Sequence, residues 1–522
     1  MTGAAAPSAE SIEAFIERYG PGYRWFATTT VMLGTIATVL TSTIVNVALP
    51  NIMGSFGMGQ DHVQLLATGF LGAMTATMLT AAWLVDSFGQ RFTYTAAIVV
   101  FLAASIMGGL APSEGVLILA RVLQGASAGI LQPLTMLVIF EVFPPHRRGM
   151  AMGVYGIGVV LAPALGPTLG GVMVDNFSWR DVFFLPVPFG VLGLFLSRLF
   201  LRGRATHALR RKFDWIGLGV LALFLFALLY GLSNGPRYGW VSDRIVLVFA
   251  LAILAFGSFV LWEIHTPSPM IDMRLFANPT FVGASVLAFI FGAGIFGSTY
   301  IVPQFVQTIQ GYSATRAGLL LMPGGFVIAI VFPLAGRLSD RVPHRLPVMF
   351  GLCVFASSFY LMRAAGTDTS FFDMAWWIVL GRIGLGFIMP GLNAGALQAL
   401  PMHLVGQGSG AINFIRQLGG ALGVNLLSIA LESRTQIYTQ AFTASQNAGN
   451  ASTSVLLRGV RELLAQAGVP EAIQQAGALN YLGRTVYIQG NMLAYRDGFL
   501  ILGVTFVLGL VPAYLMRERR AR

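Results

Sequence analysis

About fourteen stretches of roughly 20 predominantly apolar residues run along this 522-residue chain, separated by short polar connections. That length is what a helix needs to cross the hydrocarbon core of a bilayer. The stretches occupy residues 26–49, 63–84, 92–111, 116–140, 150–174, 182–201, 215–232, 245–262, 281–306, 317–338, 348–361, 374–397, 408–431 and 498–515. In lipid a helix satisfies its own backbone polar groups, so the chain reads as an all-α integral membrane protein. With 56% hydrophobic and only 10% charged residues, a soluble multidomain protein of this length is excluded.

A net charge of +11 raises the question of nucleic acid. The basic residues, however, sit at the ends of apolar runs instead of forming one patch, which is how topology determinants are distributed. Taking both termini as cytoplasmic, the inner loops collect Arg91, Arg147, Arg148, Arg202, Arg204, Arg210, Arg211, Lys212, Arg341 and Arg345, and the tail adds Arg517, Arg519, Arg520 and Arg522. The short outer loops keep few, such as Arg180 and Arg244. This asymmetry predicts an even span count and makes 434–495 one long extracytoplasmic segment. There Val455, Leu456, Val460, Leu463 and Leu464 trace an apolar face, and Arg458 and Glu462 are spaced for an i,i+4 pair.

The N-terminus lacks the pattern of a cleaved signal peptide. Ile12, Phe15, Ile16 and Tyr19 instead predict a short amphipathic helix, lying on the membrane surface or forming a solvated cap. One cysteine, Cys353, excludes an internal disulfide and a cysteine-cluster metal site, and its apolar neighbours predict a buried, inert thiol. Six scattered histidines make no metal site, and no cofactor is expected.

An internal repeat organises the chain. Leu84-x-Asp86 with Arg91 returns as Leu338-x-Asp340 with Arg345; Arg121-x-x-x-Gly125 returns as Arg382-x-x-x-Gly386; Gly170-Gly171 has a looser counterpart in Gly419-Gly420. An ordered set in corresponding spans points to duplication, the pattern of transporter folds. The expected organisation is a cytoplasmic amphipathic N-terminus (1–25), a six-helix bundle (26–201), a basic linker with two inserted spans (202–280), a second six-helix bundle (281–515) and a basic cytoplasmic tail (516–522).

Residues 162–171, Ala-Pro-Ala-Leu-Gly-Pro-Thr-Leu-Gly-Gly, place two prolines and three glycines inside a span. In a soluble helix each internal proline costs about 3 kcal/mol. In lipid, neighbouring helices satisfy the freed carbonyls and glycines let backbones touch, so the segment reads as a bend and a contact face.

On these residues the chain resembles the fourteen-span drug:proton antiporters of the major facilitator superfamily, of EmrB/QacA type. The likeness rests on Thr43 to Pro50 (Thr-Ile-Val-Asn-Val-Ala-Leu-Pro), the loop Asp86 to Arg91, Arg121-Val122-Leu123-Gln124-Gly125, the segment 162–171 and Ser178-Trp179-Arg180. Gly311-Tyr312-Ser313, Ala317-Gly318-Leu319 and Arg416-Gln417 ahead of Gly419-Gly420 extend it into the second half. The resemblance implies a major facilitator fold, two six-helix bundles plus two extra central helices, in the inner membrane of a bacterium. It implies secondary active export of amphiphilic small molecules or drugs by alternating access, coupled to protons, and antibiotic resistance. For a Gram-negative host it also implies a periplasmic adaptor and an outer-membrane channel as partners.

Carried over residue by residue, the likeness makes Asp86, Gly89 and Arg91, with Asp340 and Arg345, gating residues; a topology anchor is the plainer reading. Ala82 and Gln90 stand where the family has a glycine and a basic residue. Arg121, with Gln124 and Gly125, occupies the position tied to proton transfer. A mid-span arginine costs roughly 2.5–3.5 kcal/mol on insertion scales, so it should face the bundle interior or a water-filled cavity; a structural arginine bonded to carbonyls is the alternative. Pro163, Gly166, Pro167, Gly170 and Gly171 match the antiporter motif, or are glycine packing alone. Trp179 and Arg180 read as interfacial anchors.

The main departure is Thr41, which stands where the family usually carries an aspartate. Without that carboxylate, and with Arg121, Arg382 and Arg416 near the cavity, the potential is positive. The expected preference is for anionic or neutral amphiphiles over cations. By depth, Asn46, Gln132, Tyr155, Tyr300, Gln304 and Asn393 are candidate substrate contacts, each also explicable as helix packing. An enzyme is not expected, since there is no His-x-x-x-His and no Walker lysine. A gradient-independent facilitator and a non-transporting receptor or scaffold are the remaining classes.

Overall fold

The computed structural model describes residues 12–203, 212–447 and 450–516, apart from a few side chains that include those of Asn46, Pro163 and Pro167. Every regular element among the described residues is helical. The first half comprises α1 (Ile12–Tyr19), α2 (Tyr23–Phe56), α3 (Gln60–Thr77), α4 (Thr80–Phe88), α5 (Gln90–Gly109), α6 (Glu114–Val142), α7 (Arg148–Asn176) and α8 (Val187–Phe200). Two inserted helices follow, α9 (Trp215–Tyr238) and α10 (Asp243–His265). The second half comprises α11 (Pro279–Thr308), α12 (Ala314–Ser339), α13 (Arg345–Met362), α14 (Phe371–Gln398), α15 (Val405–Ser445), α16 (Ala451–Gln466), α17 (Glu471–Leu508) and α18 (Leu510–Leu515).

Twelve helices among the described residues are long and apolar enough to cross a membrane, and a bent pair makes a thirteenth. That pair is the second expected span, which breaks at Met78-Leu79 into α3 and α4, 55° apart. The sequence expectation of fourteen is reached only by adding α7, whose 29 residues run unbroken through the proline-glycine segment. Arg204, Arg210, Arg211 and the tail arginines lie outside the described residues.

Duplication is visible in how the helices pair. In the first half α2 packs on α6, α7 and α8, α3 on α6, and α5 on α6 and α8. In the second, α11 packs on α14, α15 and α17, α12 on α14, and α13 on α14 and α17, in the same order. Glycines set the closest approaches. A Cβ on Gly125 or Gly129 of α6 would strike the carbonyl of Phe70 or Met74 on α3, and one on Gly419 of α15 would strike that of Phe289 on α11. The inserted α9 and α10 pack on each other, with α9 touching α3 and α15.

The N-terminal helix docks on protein. Phe15 stacks on Tyr23 at 5.0 Å and Tyr19 meets Phe200 of α8 at 5.3 Å. Cys353 is exposed instead of buried, because it lies on the face of α13 that also exposes Phe350, Tyr360 and Leu361. An apolar neighbourhood in a membrane helix marks the lipid side as readily as the core. Trp179, expected as an interfacial anchor, is 6% exposed and donates its indole N–H to Ser55 at 2.9 Å.

The segment 434–495 consists of the polar continuations of α15 and α17 with α16 between them. Arg434 and Tyr438 of α15 both reach the Asp497 carboxylate, at 3.6 Å and 2.7 Å. On α16 the apolar face divides: Leu456, Val460 and Leu464 are half-buried, whereas Val455 and Leu463 are exposed.

Candidate functional site

Gly149-Met-Ala-Met-Gly153 opens α7, a small-xxx-small pattern that lets two backbones meet. Its partner is α12 of the other bundle. A Cβ on Gly149 would lie 2.6 Å from the Gly336 carbonyl, and one on Gly153 would strike that of Phe332. Beside this crossing Asp340, just past α12, accepts hydrogen bonds from the Gly149 and Met150 amides at 2.6 and 2.9 Å. Those amides are among the unpaired donors of a helix start, where a carboxylate is also favoured by the helix dipole. Burial holds the Asp340 carboxyl above its ordinary range, against the pull of the two amides and of His344 and His146.

A second crossing joins α15 to the first bundle. Ser409 donates to the Pro133 carbonyl of α6 at 3.2 Å, and Tyr155 of α7, fully buried, donates its hydroxyl to Asn413 Oδ1 at 2.8 Å. Arg416 Nη2 lies 2.5 Å from the same oxygen and 3.5 Å from the Tyr155 hydroxyl. Gly410 packs against Met78, in the kink between α3 and α4. Both crossings lie in the halves of the helices next to Arg147, Arg341 and Arg345, hereafter the basic face, so the bundles are clamped together on that face.

On the same face the first bundle is tied to itself. Gln90 Nε2 donates to Glu141 at 2.8 Å, Glu141 is ion-paired with Arg202, and Arg91 donates from Nε to the Leu201 carbonyl at 2.7 Å. Gly89, at φ +83°, makes the turn between α4 and α5 in a region other residues rarely adopt. Asp86 is exposed there. The two expected gating loops therefore differ: Arg91 pins its own bundle, and Asp340 reaches across to the other. Arg345 opens α13, half-buried.

Arg121 is fully buried in α6. Its Nε donates to the Leu66 carbonyl at 3.0 Å, and Nη1 to the Thr41 carbonyl and Gln124 Oε1 at 3.3 and 3.0 Å. The Phe70 ring lies 4.2 Å from its guanidinium carbon, and Gln124 passes the network to Ser105 at 2.9 Å. Nη2 has no hydrogen-bond partner among the described residues. The Thr41 hydroxyl donates to the Ala37 carbonyl at 2.8 Å and brings Arg121 no charge. Arg416 Nη1 is likewise buried without a partner. Arg382, the repeat of Arg121, is less enclosed and lies 3.5 Å from the Thr299 hydroxyl.

The antiporter-motif glycines face their own bundle. A Cβ on Gly166 would strike Thr43 Oγ1, one on Gly170 would lie 2.9 Å from Ile44, and Gly171 faces open space. The side chains of Pro163 and Pro167 lie outside the described residues, as does that of Asn46. The other candidate substrate contacts do not gather in one place. Tyr155 is in the basic-face crossing; Gln132 is buried, with Nε2 3.7 Å from Met74 Sδ. Tyr300 meets Ser428 at 3.1 Å, and Gln304, exposed, accepts from Tyr495 at 3.4 Å. Asn393 is fully buried with neither amide atom bonded among the described residues. Sequence reasoning missed Gly149, Gly153, Gly336, Ser409 and Asn413, although Gly149-x-x-x-Gly153 was legible as a close-contact pattern.

Comparison with known proteins agrees with this architecture. The family model of the Major Facilitator Superfamily matches residues 31–424. The Escherichia coli (strain K12) multidrug export protein EmrB is 29% identical over 489 residues, 93% of this chain and 94% of its own. The Bacillus subtilis multidrug transporter protein MdtP is 28% identical over 508 residues, covering 94% of each. The crystal structure of the human organic anion transporter MFSD10 superposes with a TM-score of 0.60 at 14% identity, over 95% of this chain and 99% of that one, which establishes the fold alone. A duplicated helical bundle clamped at one face, matched along nearly its whole length by export proteins, is a membrane transport protein and not an enzyme: the chain belongs to the Major Facilitator Superfamily, with the EmrB-type multidrug efflux permeases among its relatives.

Proposed function

We propose that the protein exports amphiphilic small molecules by alternating access and favours anionic or neutral substrates. The observation that carries the preference is Arg121 beside Thr41: a fully buried guanidinium with one nitrogen unpartnered and no carboxylate among its bonded neighbours. Arg416 adds a second unpartnered nitrogen. A cation brought to about 4 Å of such a charge meets about 4 kcal/mol of repulsion at an effective dielectric near 20, and an anion meets the same as attraction. The export direction follows the relatives, whose names are those of export proteins.

In this reading the basic face is cytoplasmic, as is each terminus, because short loops rich in arginine stay inside. The structure is then the form closed to the cytoplasm. Opening requires the Gly149–Gly336 crossing, the Asp340 cap and the Tyr155–Asn413 bond to part while each bundle stays intact. Counting α7 gives fourteen spans, an even number, in two six-helix bundles (26–201 and 281–515) joined by the 202–280 insert. In a Gram-negative host the adaptor contact would belong to the α15–α16–α17 hairpin, where Val455 and Leu463 are exposed.

Proton coupling is part of the proposal, and Thr41 is its test point. In proteoliposomes with an imposed pH gradient, wild type is expected to move an acidic amphiphile and leave a permanently cationic dye behind. Thr41→Asp, which supplies Arg121 with a counter-charge, is expected to reverse that order by about tenfold, equivalent to about 1.4 kcal/mol. Strong pH-driven export of the cation by wild type overturns the substrate reading. Equilibration indifferent to the gradient makes the protein a facilitator.

A further inference from the structure

Two carboxyl groups meet at the base of the α9–α10 hairpin. Asp214 is the N-cap of α9: its Oδ1 accepts the Gly217 amide at 2.8 Å, and the Trp262 indole donates to its two oxygens at 2.9 and 3.0 Å. Glu263, in the last turn of α10, is 2% exposed. Its Oε2 accepts the Ile271 amide at 3.2 Å, and its Oε1 is buried with no partner. The remaining oxygens of both groups converge on Gly217, where a Cβ would strike Asp214 Oδ2 and lie 2.9 Å from Glu263 Oε1.

Two ionised carboxylates so placed repel in a medium that screens poorly, unless something positive lies between them. Among the described residues nothing suitable does. Lys212 is exposed, His265 turns Nδ1 to the Leu261 carbonyl at 2.7 Å, and Asp272 uses its carboxylate to cap the Arg274 amide. Nor do the described residues contain three His, Cys, Asp or Glu side chains grouped to hold a metal ion. The two acids are not equivalent. Asp214 sits at a helix start, where donors and the dipole favour the anion; Glu263 sits at a helix end, where the dipole disfavours it.

We propose that the pair binds one proton, carried on Glu263 Oε1 and donated to Asp214 Oδ2, as a proton site separate from the buried arginines. The proton is taken from and returned to water at the basic face, and no other bond changes. The site is wired to the closure. Phe213, next to Asp214, packs edge-on against Trp83 of α4 at 4.7 Å. Ile271, held by Glu263, is followed by Asp272, whose amide donates to Gln407 of α15 at 2.9 Å, on the helix that carries Ser409, Asn413 and Arg416. Loss of the proton places a second negative charge beside Asp214, drives Glu263 away and frees the 271–272 link to α15. None of this rests on the substrate reading above.

Infrared spectroscopy of the full chain in lipid nanodiscs tests the site. At neutral pH wild type is expected to show a protonated-carboxyl C=O band that shifts in D2O, disappears in Glu263→Gln and persists in Asp340→Asn. Asp214→Asn, which keeps the glutamic acid but changes its acceptor, is expected to move the band. Absence of the band in wild type, its survival in Glu263→Gln, or its unchanged position in Asp214→Asn overturns the proposal. So does its loss on adding sodium, potassium or magnesium chloride at fixed pH, which would mean the pair holds a cation. As the readout of the link, Ile271 amide exchange, corrected for the intrinsic effect of pH, is expected to rise with pH in wild type and stay flat in Glu263→Gln; equal pH dependence in both overturns that part.

Discussion

The loop at 86–91 and its repeat at 340–345 began as the same sequence, and they now do different work. In the first, Arg91 is bonded to the end of α8 in its own bundle, and Asp86 is exposed. In the second, Asp340 crosses to the other bundle and caps the start of α7. Duplication supplied a carboxylate at the end of a span twice. Where a glycine-led helix start lies opposite, that carboxylate becomes a latch between bundles.

The sharpest way to break this contrast is to separate α7 from α12. Gly153→Leu puts a side chain into the Phe332 backbone. It is expected to reduce transport by at least about tenfold, a shift of about 1.4 kcal/mol, while size-exclusion profiles show the protein still folded; unimpaired flux would mean the crossing does not form during turnover. Next in size is the difference between the copies. A side-chain acceptor at a helix start is worth about 0.5–2 kcal/mol, so Asp340→Ala, which removes the acceptor of both amides, should weaken basic-face closure about 2- to 30-fold, and Asp86→Ala clearly less. Spin-label distances between α7 and α12 measure both, and equal effects would erase the distinction.

The smallest effect is in pH. The Asp340 carboxyl lies above its ordinary value when the latch is closed, by burial. Closing therefore favours proton uptake, and the closed form gains as pH falls from the raised value toward about 3.9. Above that window the gain is absent. The same spin-label distances, followed from neutral to acid pH, should show closure strengthening in wild type and a flat response in Asp340→Asn.

Much of the fold was legible because apolar length is a property of single spans. The repeat of Arg121 and Arg382 likewise placed both in corresponding helices. What stayed hidden depends on pairs. The donors that hold Asp340 are backbone amides of Gly149 and Met150, which no side chain announces. Depth in the span makes Tyr155 a candidate substrate contact, and nothing local announces its hydrogen-bond partner Asn413, 258 residues away. Glu263 follows Trp262 at a span end with no motif around it to single it out; only folding brings it to Asp214. The α3–α4 bend at Met78-Leu79 has no proline to mark it.

The long helices of the second bundle carry a further consequence. At 41 and 38 residues, α15 and α17 run to about 60 Å at 1.5 Å per residue, about twice the hydrocarbon thickness of a bilayer. Each is one continuous helix, so under alternating access the hairpin would work as a lever arm. If the second bundle tilts by about 10° during rocking, a tip about 30 Å beyond the pivot sweeps about 5 Å. A motion of atomic scale among the packed spans thus arrives at the hairpin tip as a displacement that a bound protein would feel.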